Sequence, residues 1–582
     1  MDRLIKQILV FVLTLFAFNN KVLGQIEDNK INSLLESIPK EKVFLHTNTN
    51  LVLAGEEIYY KLYSLYSNNK LSNISKIAYV ELIGEENTFI FKHKLKLNYG
   101  VASGDFFIPS TTKTGNYKLI GYTKLMNSEL TPIYKKDIFI INPYISTEKK
   151  IFQEVKQIGN VNIEIKNNSD IITKENDFEF FLDSDLYKRR SKVSLELKNL
   201  LKESNFGNYS LSVRKLDAVG VSKKENNKNK YKDIVKKSYL PEIRGEVISG
   251  KVISLKDSSI QSNVIVSLSI SGKNYIFKNV KTNEFGKFYF NIHENYEGNK
   301  IVLQVVDSEK EEYKIVLDKP FDYYNFLTFN NLILNKNIKK WLLEKSIQNQ
   351  VQSAYYYSKK DSLVALKPSN VFYDRPSVEY ILDDYKRFPT VKETFIEVVE
   401  EAAMRKDKDS YRFMVYDYEE RRNNSFKNLD PLVLFDGIQI QNNNDIIDYE
   451  TNGIDKVSVV RGIYFYGPSI FNGIIDFKTK KGDFKLPYSD KEYLKQITHS
   501  RPIEDKLYFE PNYNKESSNK FKRIPDYRNQ LLWVPNIYIN SSSKKIEFYT
   551  SDIEGKFEIL LEGFTINGKY IYAKKNIIVK DD

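Results

Sequence analysis

Residues 88–97 read TFIFKHKLKL: Phe89, Phe91, Leu95 and Leu97 fall on one side of an extended chain, and Lys92, Lys94 and Lys96 on the other. That period of two belongs to a strand, whose successive side chains point to opposite faces of a sheet. Residues 116–125 (NYKLIGYTKL) and 137–141 (DIFII) read alike. Gly55, Asn98-Tyr99-Gly100 and Thr114-Gly115-Asn116 supply turn chemistry between such runs. Short strands with regular turns predict a β-sandwich that ends near Asn142-Pro143. Composition points the same way, because 41 Tyr and 36 Phe stand against 2 Trp and 4 Met, and aromatic residues favour half-buried pleated surfaces. A chain of 582 residues has room for about three to five domains.

Cysteine is absent. That excludes a disulfide framework, Cys-ligated zinc, iron–sulfur clusters, a thiol nucleophile and a cysteine-borne lipid anchor. The four His (His46, His93, His293 and His499) are scattered, and none has a second ligand at metal spacing. His46, between Leu45 and Thr47, reads as a structural strand residue. Asp383-Asp384 and Glu400-Glu401 read as ordinary surface acids. Asp445 and Asp448, beside residues 442–444 (NNN), lack the ligand spacing of a calcium loop. There is no Gly-rich phosphate loop and no G-x-S-x-G. The expectation is a chain without catalytic residues, metal or cofactor.

The net charge of +12 is spread along the chain, and the densest run, residues 223–230 (KKENNKNK), reads as a solvated loop. One loop makes no extended basic face, so no nucleic-acid partner is expected. At the N-terminus, Arg3 and Lys6 precede an apolar run of 11 residues, 8–18, and Val22-Leu23-Gly24 follows. This is the pattern of a secretory signal peptide over residues 1–24. The run is shorter than the roughly 20 residues a bilayer span needs, so the protein is expected to be exported.

The fold expected is mainly β and multidomain: tandem β-sandwiches, an α+β unit and a terminal β domain, without a transmembrane barrel. Its divisions are a first sandwich at 25–145 and a second at 146–235. A third follows at 241–325, then a helical or irregular linker at 326–382. The α+β unit spans 383–486, a polar linker 487–526 and the terminal β domain 527–582. Within the linker, residues 335–351 place Ile338, Leu342, Ile347 and Val351 near helical spacing. Thr390 and Glu393 have the spacing of a capping box, with Phe395, Val398, Val399 and Ala402 as the apolar face behind it. Tyr355-Tyr356-Tyr357 and Tyr464-Phe465-Tyr466 read as core packing or, alternatively, as exposed contact surfaces.

Several segments resemble known families. Pro431-Leu432-Val433-Leu434-Phe435-Asp436-Gly437, then Lys456-Val457-Ser458-Val459-Val460-Arg461-Gly462, Tyr466-Gly467 and Asn472-Gly473-Ile474-Ile475-Asp476 resemble the plug domain of TonB-dependent outer-membrane receptors of Bacteroidota. The resemblance implies structural or contact roles for Asp436, Gly437, Arg461, Gly462, Gly467 and Gly473. The receptor's barrel has no room here: 98 residues follow Phe484, whereas 22 strands of about 10 residues need on the order of 220.

Glu41-Lys42-Val43-Phe44-Leu45-His46-Thr47 with Gly55-Glu56-Glu57-Ile58-Tyr59-Tyr60-Lys61 is similar to a macroglobulin-type domain, though the thioester of such proteins is impossible without Cys. Arg244-Gly245-Glu246-Val247 with Thr282-Asn283-Glu284-Phe285-Gly286 resembles the carboxypeptidase regulatory-like fold, which is non-catalytic. Trp533-Val534-Pro535-Asn536 with Phe548-Tyr549-Thr550-Ser551 resembles the closing β domain of a Bacteroidota family that combines these modules. Gly555-Lys556-Phe557 and Ile577-Ile578-Val579 are similar to sorting domains of the type 9 secretion route.

Together these resemblances imply a non-enzymatic binding or scaffold protein of the cell envelope, in the periplasm, at the outer membrane or on the cell surface. Its partner would be an outer-membrane barrel protein or an envelope complex, met through the plug-like unit. The alternative is a surface or secreted adhesion module with a glycan or protein ligand.

Overall fold

The computed structural model describes residues 39–128, 133–145, 152–153, 177–217, 240–319, 324, 327–329, 334–335, 338–365, 367, 369–407, 410–416, 429–488, 491–514, 521 and 523–581. The signal-peptide pattern and the basic run 223–230 lie outside these residues. The fold is mainly β, as expected. No helix among the described residues is long and apolar enough to cross a membrane.

The first sandwich packs a three-stranded sheet against a five-stranded one. The smaller sheet runs in the order Glu41–Thr47, Glu57–Tyr66, Val101–Phe107. The larger runs Leu51–Leu53, Tyr134–Ile141, Gly115–Tyr122, Ile77–Ile83, Phe89–Lys96, with the short first strand parallel to its neighbour. Phe91 and Leu95 enter the core. Phe89 does not: the register slips between Leu82 and Ile83, and one extra residue turns every side chain beyond it to the other face. Phe89 is exposed and packs edge-on against Tyr324 at 5.0 Å. The lysine face is also less solvated than its pattern suggests. Lys94 is buried against Glu246, and Lys96 Nζ donates to the His293 carbonyl at 3.2 Å. That face is an interface with the third sandwich.

The expected second sandwich (146–235) and terminal β domain (527–582) are one unit. Its small sheet runs Phe178–Leu182, Lys192–Asn199, Ser543–Tyr549. Its large sheet runs Leu186–Tyr187, Tyr570–Val579, Gly555–Thr565, Gly207–Lys215, Gln530–Ile539. In chain order these eight strands repeat the connectivity of the first sandwich strand for strand, including the short parallel edge strand. The difference is an insertion: everything between Lys215 and Gln530 enters between the fourth and fifth strands. The two halves share one core, with Val193, Leu195, Leu211 and Val213 packed among Leu532, Phe548, Phe557 and Leu561.

The insertion carries the third sandwich and the plug-like unit. The third sandwich pairs Lys287–Ile292, Glu246–Ser254 and Tyr313–Leu317 in one sheet, and Ile276–Lys281, Ile265–Ile270, Lys300–Val306 and Leu494–Thr498 in the other. The last strand comes from the segment expected as a polar linker (487–526). A second piece of that segment, Lys506–Leu507, pairs with Ser362–Leu363 of the other expected linker.

The plug-like unit has a sheet ordered Val378–Ile381, Ile454–Tyr466, Ser469–Thr479, Leu432–Phe435, Ile438–Gln439. The capping box forms: Thr390 Oγ1 accepts from the Glu393 N–H at 3.3 Å, and Glu393 Oε2 accepts from the Thr390 N–H at 3.4 Å. The helix behind it, Val391–Glu397, ends sooner than its apolar pattern predicts, and Ala402 already begins the hairpin Ala402–Asp407/Ser410–Val415. Both faces of the sheet are covered. Ile475 and Phe477 join a core continuous with the third sandwich, while Ile474 packs with Tyr275, Phe277 and Tyr373.

The apolar face expected of the helix Lys339–Ala354 forms only at its start, where Ile338 is buried and Leu342 packs beside it. Ile347 is 51% exposed, and the face it buries holds Lys345, Ser346 and Asn349. The reason is local: Lys345 Nζ reaches both carboxylate oxygens of Asp217 at 3.0 Å. A buried ammonium is tolerated only where such partners surround it.

Candidate functional site

The six plug-motif residues are not gathered at one site. Asp436 is a buried structural knot at φ +47. Its Oδ1 accepts from the Thr479 N–H at 2.8 Å, and its Oδ2 accepts from Thr479 Oγ1 at 2.7 Å and the Phe484 N–H at 3.0 Å. Gly437 follows at φ +83, and a Cβ there would lie 2.3 Å from the ring of Tyr275 in the third sandwich. Gly467 opens a two-residue turn at φ +56 between Tyr466 and Ser469. It precedes Pro468, the pattern of a hairpin turn with glycine first. Arg461 and Gly462 form a bulge opposite Gly473. The Arg461 guanidinium stands 3.5 Å from Glu401 Oε2. Asp436, Gly437 and Gly467 thus seat the unit's turns against the third sandwich, while the other three shape its hairpin.

A different place has the form of a binding site. A cavity of about 610 Å³ lies where the first sandwich, the second sandwich, the end of the helix Lys339–Ala354 and residues 508–510 meet. The turn at Gly55 (φ +94) delivers Glu56, Glu57 and Tyr59 to it. The strand Gln530–Ile539 delivers Trp533, and the helix delivers Asn349. Past the helix end, Tyr356 and Tyr357 are 54% and 82% exposed and stand at the mouth. Deeper, Tyr59 meets Tyr508 edge-on at 5.1 Å and Trp533 at 6.0 Å.

The polar lining is unbalanced. Asn349 Nδ2 and Trp533 Nε1 are buried without an acceptor. Arg214 Nη2 also lacks a hydrogen bond, its nearest carboxylate oxygen being Glu56 Oε1 at 3.6 Å. The other cations lining the cavity are engaged. Arg528 forks onto Asp526 at 2.8 Å from both Nε and Nη2, and Lys359 donates to Gln352 Oε1 at 2.8 Å and the Pro525 carbonyl at 2.6 Å. Burial would raise the Asp526 carboxyl, but Arg528 holds it well below the usual carboxylate range. Burial pushes the Glu57 and Asp361 carboxyls up. Glu57 accepts from the Tyr59 hydroxyl and Asp361 from the Phe509 N–H at 2.8 Å.

Two buried polar clusters lie elsewhere, at seams between units. His46 Nδ1 is 2.5 Å from Ser210 Oγ, and its Nε2 is 3.3 Å from Glu562 Oε2. The order Ser–His–acid is that of acyl transfer, but Ser210 is fully buried and its hydroxyl also donates to the Glu562 carbonyl at 3.1 Å. The cluster bonds the first sandwich to the second, as Lys61 does through the Tyr209 carbonyl at 3.1 Å. Lys94, Glu246, His499 and Tyr296 form the second cluster: His499 Nε2 is 2.5 Å and Tyr296 OH 2.7 Å from the Glu246 carboxylate. Burial opposes the charge on Glu246, yet His499 and Lys94 hold its carboxyl at about 2. Among the described residues no group of His, Asp or Glu is placed to hold a metal ion.

Sequence reasoning missed the cavity, because its walls come from six separated stretches of chain. The one legible signal was Tyr355-Tyr356-Tyr357, whose exposed alternative is the one adopted. Tyr464-Phe465-Tyr466 divides: Phe465 is exposed, and its neighbours are half-buried.

No family model matches the chain, and no curated protein matches it. Among solved structures it is similar to a mutant alpha-2-macroglobulin of Salmonella, at 8% identity and a TM-score of 0.23, over 93% of this chain and 39% of that one. It is similar to the Escherichia coli alpha-2-macroglobulin activated by porcine elastase, at 9% identity and a TM-score of 0.24, over 93% and 44%. The Escherichia coli adhesin FdeC is similar at 10% identity and a TM-score of 0.15, over 51% and 66%. The chain spans about two fifths of the macroglobulins' length.

Proposed function

We propose that this chain is an exported, non-enzymatic binding protein of the cell envelope, whose ligand enters the cavity between the first and second sandwiches. The observation that carries the reading is the cavity itself, walled by Tyr59, Tyr356, Tyr357, Tyr508 and Trp533. The volume of about 610 Å³ falls within the roughly 300–1,000 Å³ of small-molecule sites. A ligand that binds the folded state raises its melting temperature. Fractions of an envelope extract should therefore raise the melting temperature of the wild type and not that of Tyr357→Ala. An equal rise in both would sink the cavity reading.

A second reading keeps the partner implied by the plug resemblance, an outer-membrane barrel protein or envelope complex. It is favoured by the hairpin tip of the plug-like unit, where Phe465 and Ile470 pair across the ladder and are 68% and 41% exposed. A photo-crosslinker at position 465 should then capture one barrel protein in stoichiometric yield from intact envelopes. Diffuse labelling would remove this reading.

A further inference from the structure

We infer that the cavity takes an organic cation by its alkylammonium group, an inference that rests on the cavity being a ligand site. The lining charges within a ligand's reach are acidic. Glu57 and Asp361 are half-buried and Glu510 is exposed. One oxygen of Glu57 accepts from the Tyr59 hydroxyl, and one of Asp361 from the Phe509 N–H. The other two, Glu57 Oε1 and Asp361 Oδ2, carry no hydrogen bond from a described residue, and neither is closed off from solvent. The nearest ammonium, on Lys506, is 2.7 Å from the Asp105 carboxylate. The lining cations are withdrawn and held by other acids. The side chains of Arg214, Lys359 and Arg528 are 10%, 8% and 12% exposed, and stand 3.6 Å from Glu56, 3.7 Å from Asp526 and 2.8 Å from Asp526 respectively. Aromatic surface is the other half of the site. Tyr356 and Tyr357 are open at the mouth, and the face of such a ring attracts a cation. The chain itself makes this contact once: the Lys360 ammonium lies 4.3 Å from the Tyr357 ring centre, and Tyr357 is still 82% exposed.

Other ligand classes match fewer of these groups. An anion would meet the carboxyls of Glu57, Asp361 and Glu510, with every lining cation already held by an acid. Among the described residues no group of His, Asp or Glu is placed to hold a metal ion. A neutral ligand would leave the carboxylates without a counter-charge. Burial raises the Glu57 and Asp361 carboxyls, the neighbouring Asp105 adds to the rise at both, and Lys506 opposes it; a bound cation would oppose it further. A guanidinium is the nearest competitor. Its fork pairs best with both oxygens of one carboxylate, and Glu57 and Asp361 each have one already taken. An ammonium carries three donors that rotate onto single oxygens. Two sources share that chemistry, a free polyamine and a lysine side chain of a peptide.

The test titrates the full-length protein by calorimetry with spermidine and with a blocked Gly-Lys-Gly peptide. The same peptide acetylated on its lysine, and one with glutamate in its place, serve as neutral and anionic controls. Glu57→Gln, Asp361→Asn and Tyr357→Ala are run beside the wild type. The two amides keep the acceptor oxygen that Tyr59 and Phe509 use and remove only the charge, and melting curves confirm that all three variants fold. The inference expects at least one amine to bind and both controls to fail. Each amide should weaken binding about tenfold, the scale of a lost charged hydrogen bond, and Tyr357→Ala about two- to fivefold, the scale of an exposed cation–π contact. Spermidine alone would identify a free polyamine as the source, and the peptide alone a lysine side chain. Binding of a control that Tyr357→Ala weakens would overturn the cation and leave the cavity reading standing. Amine binding that no variant moves would place the amine outside the cavity and overturn the inference. Silence from both amines would overturn it too, while the cavity reading would still stand or fall on the melting shift in envelope extract.

Discussion

The first and second sandwiches have the same eight-strand connectivity, but one is a single run of chain and the other is split. In the first, Ile77–Ile83 finds its neighbours Phe89–Lys96 and Gly115–Tyr122 close by in sequence. Its counterpart Gly207–Lys215 pairs with Gln530–Ile539 and Gly555–Thr565, beyond the insertion. The fold itself is indifferent to this. Loop-closure entropy grows only logarithmically, by about 0.6 kcal/mol per doubling of length, so a long insertion between two strands is inexpensive once its ends lie close together. Closure distance should weigh on the rate of folding instead.

The largest expected effect comes from ending the chain before Gln530. Gly207–Lys215 then loses both of its sheet neighbours, and amide hydrogen exchange should show residues 178–215 unprotected while the first sandwich keeps its protection. Protection surviving in 178–215 would break the claim that the two segments form one unit. Next come matched core truncations, Leu119→Ala and Leu561→Ala. Both side chains are fully buried and pair with a leucine of the fourth strand, Leu82 and Leu211 respectively. Each should cost about 2–5 kcal/mol in urea unfolding. The equilibrium losses should agree, while refolding of the second sandwich should be the slower. A much smaller loss at Leu561 would show that the split sandwich packs less well than the intact one.

The inserted units sharpen the contrast through their own joint. Asp476 is buried there and accepts from Tyr275 OH at 2.8 Å and Tyr373 OH at 2.6 Å, while its Oδ1 has no donor. Burial raises its carboxyl to about 6 from an ordinary 3.8. The folded protein thus holds this proton more tightly than the unfolded chain does. Its stabilising contribution is full below pH 3.8 and is lost as pH rises through 6, a change of about 3 kcal/mol. Melting profiles of the insertion between pH 4 and 8 should carry this slope, and Asp476→Asn should flatten it. An unchanged slope would move its origin elsewhere. At Gly437→Ala the new side chain enters φ +83 with its Cβ 2.3 Å from Tyr275. The backbone alone should cost about 1–2 kcal/mol and the displaced Tyr275 about 1–3 kcal/mol more, loosening the seating of the plug-like unit without touching the first two sandwiches.

The same contrast explains what could be read from residues alone. Strand runs were legible throughout, because alternation is a local property. The pairing of 178–215 with 530–579 was not, since nothing in either segment says how much chain lies between them. The lysines at 92, 94 and 96 looked like a solvated face, and Lys94 proved buried because a second unit covers it. The helix Lys339–Ala354 was legible as a helix but not in its orientation, which Asp217, far away in sequence, decides. In the cavity, only the three consecutive tyrosines gave a signal. Asn349, Trp533 and Arg214 are unexceptional in sequence and are brought to one cavity only by the fold.

The insertion also sets a timetable. A chain emerges N-terminus first, at about 5–20 residues per second during synthesis. Gly207–Lys215 therefore waits on the order of 15–70 s for Gln530–Ile539 and Gly555–Thr565. For that interval it has two bare edges, the condition under which strands pair with foreign chains. The third sandwich and the plug-like unit can close on residues already present, and by doing so they draw Lys215 and Gln530 together. They act as a spacer that matures before the sandwich it interrupts. A lesion that slows their folding would therefore appear first as aggregation through a strand they do not contain.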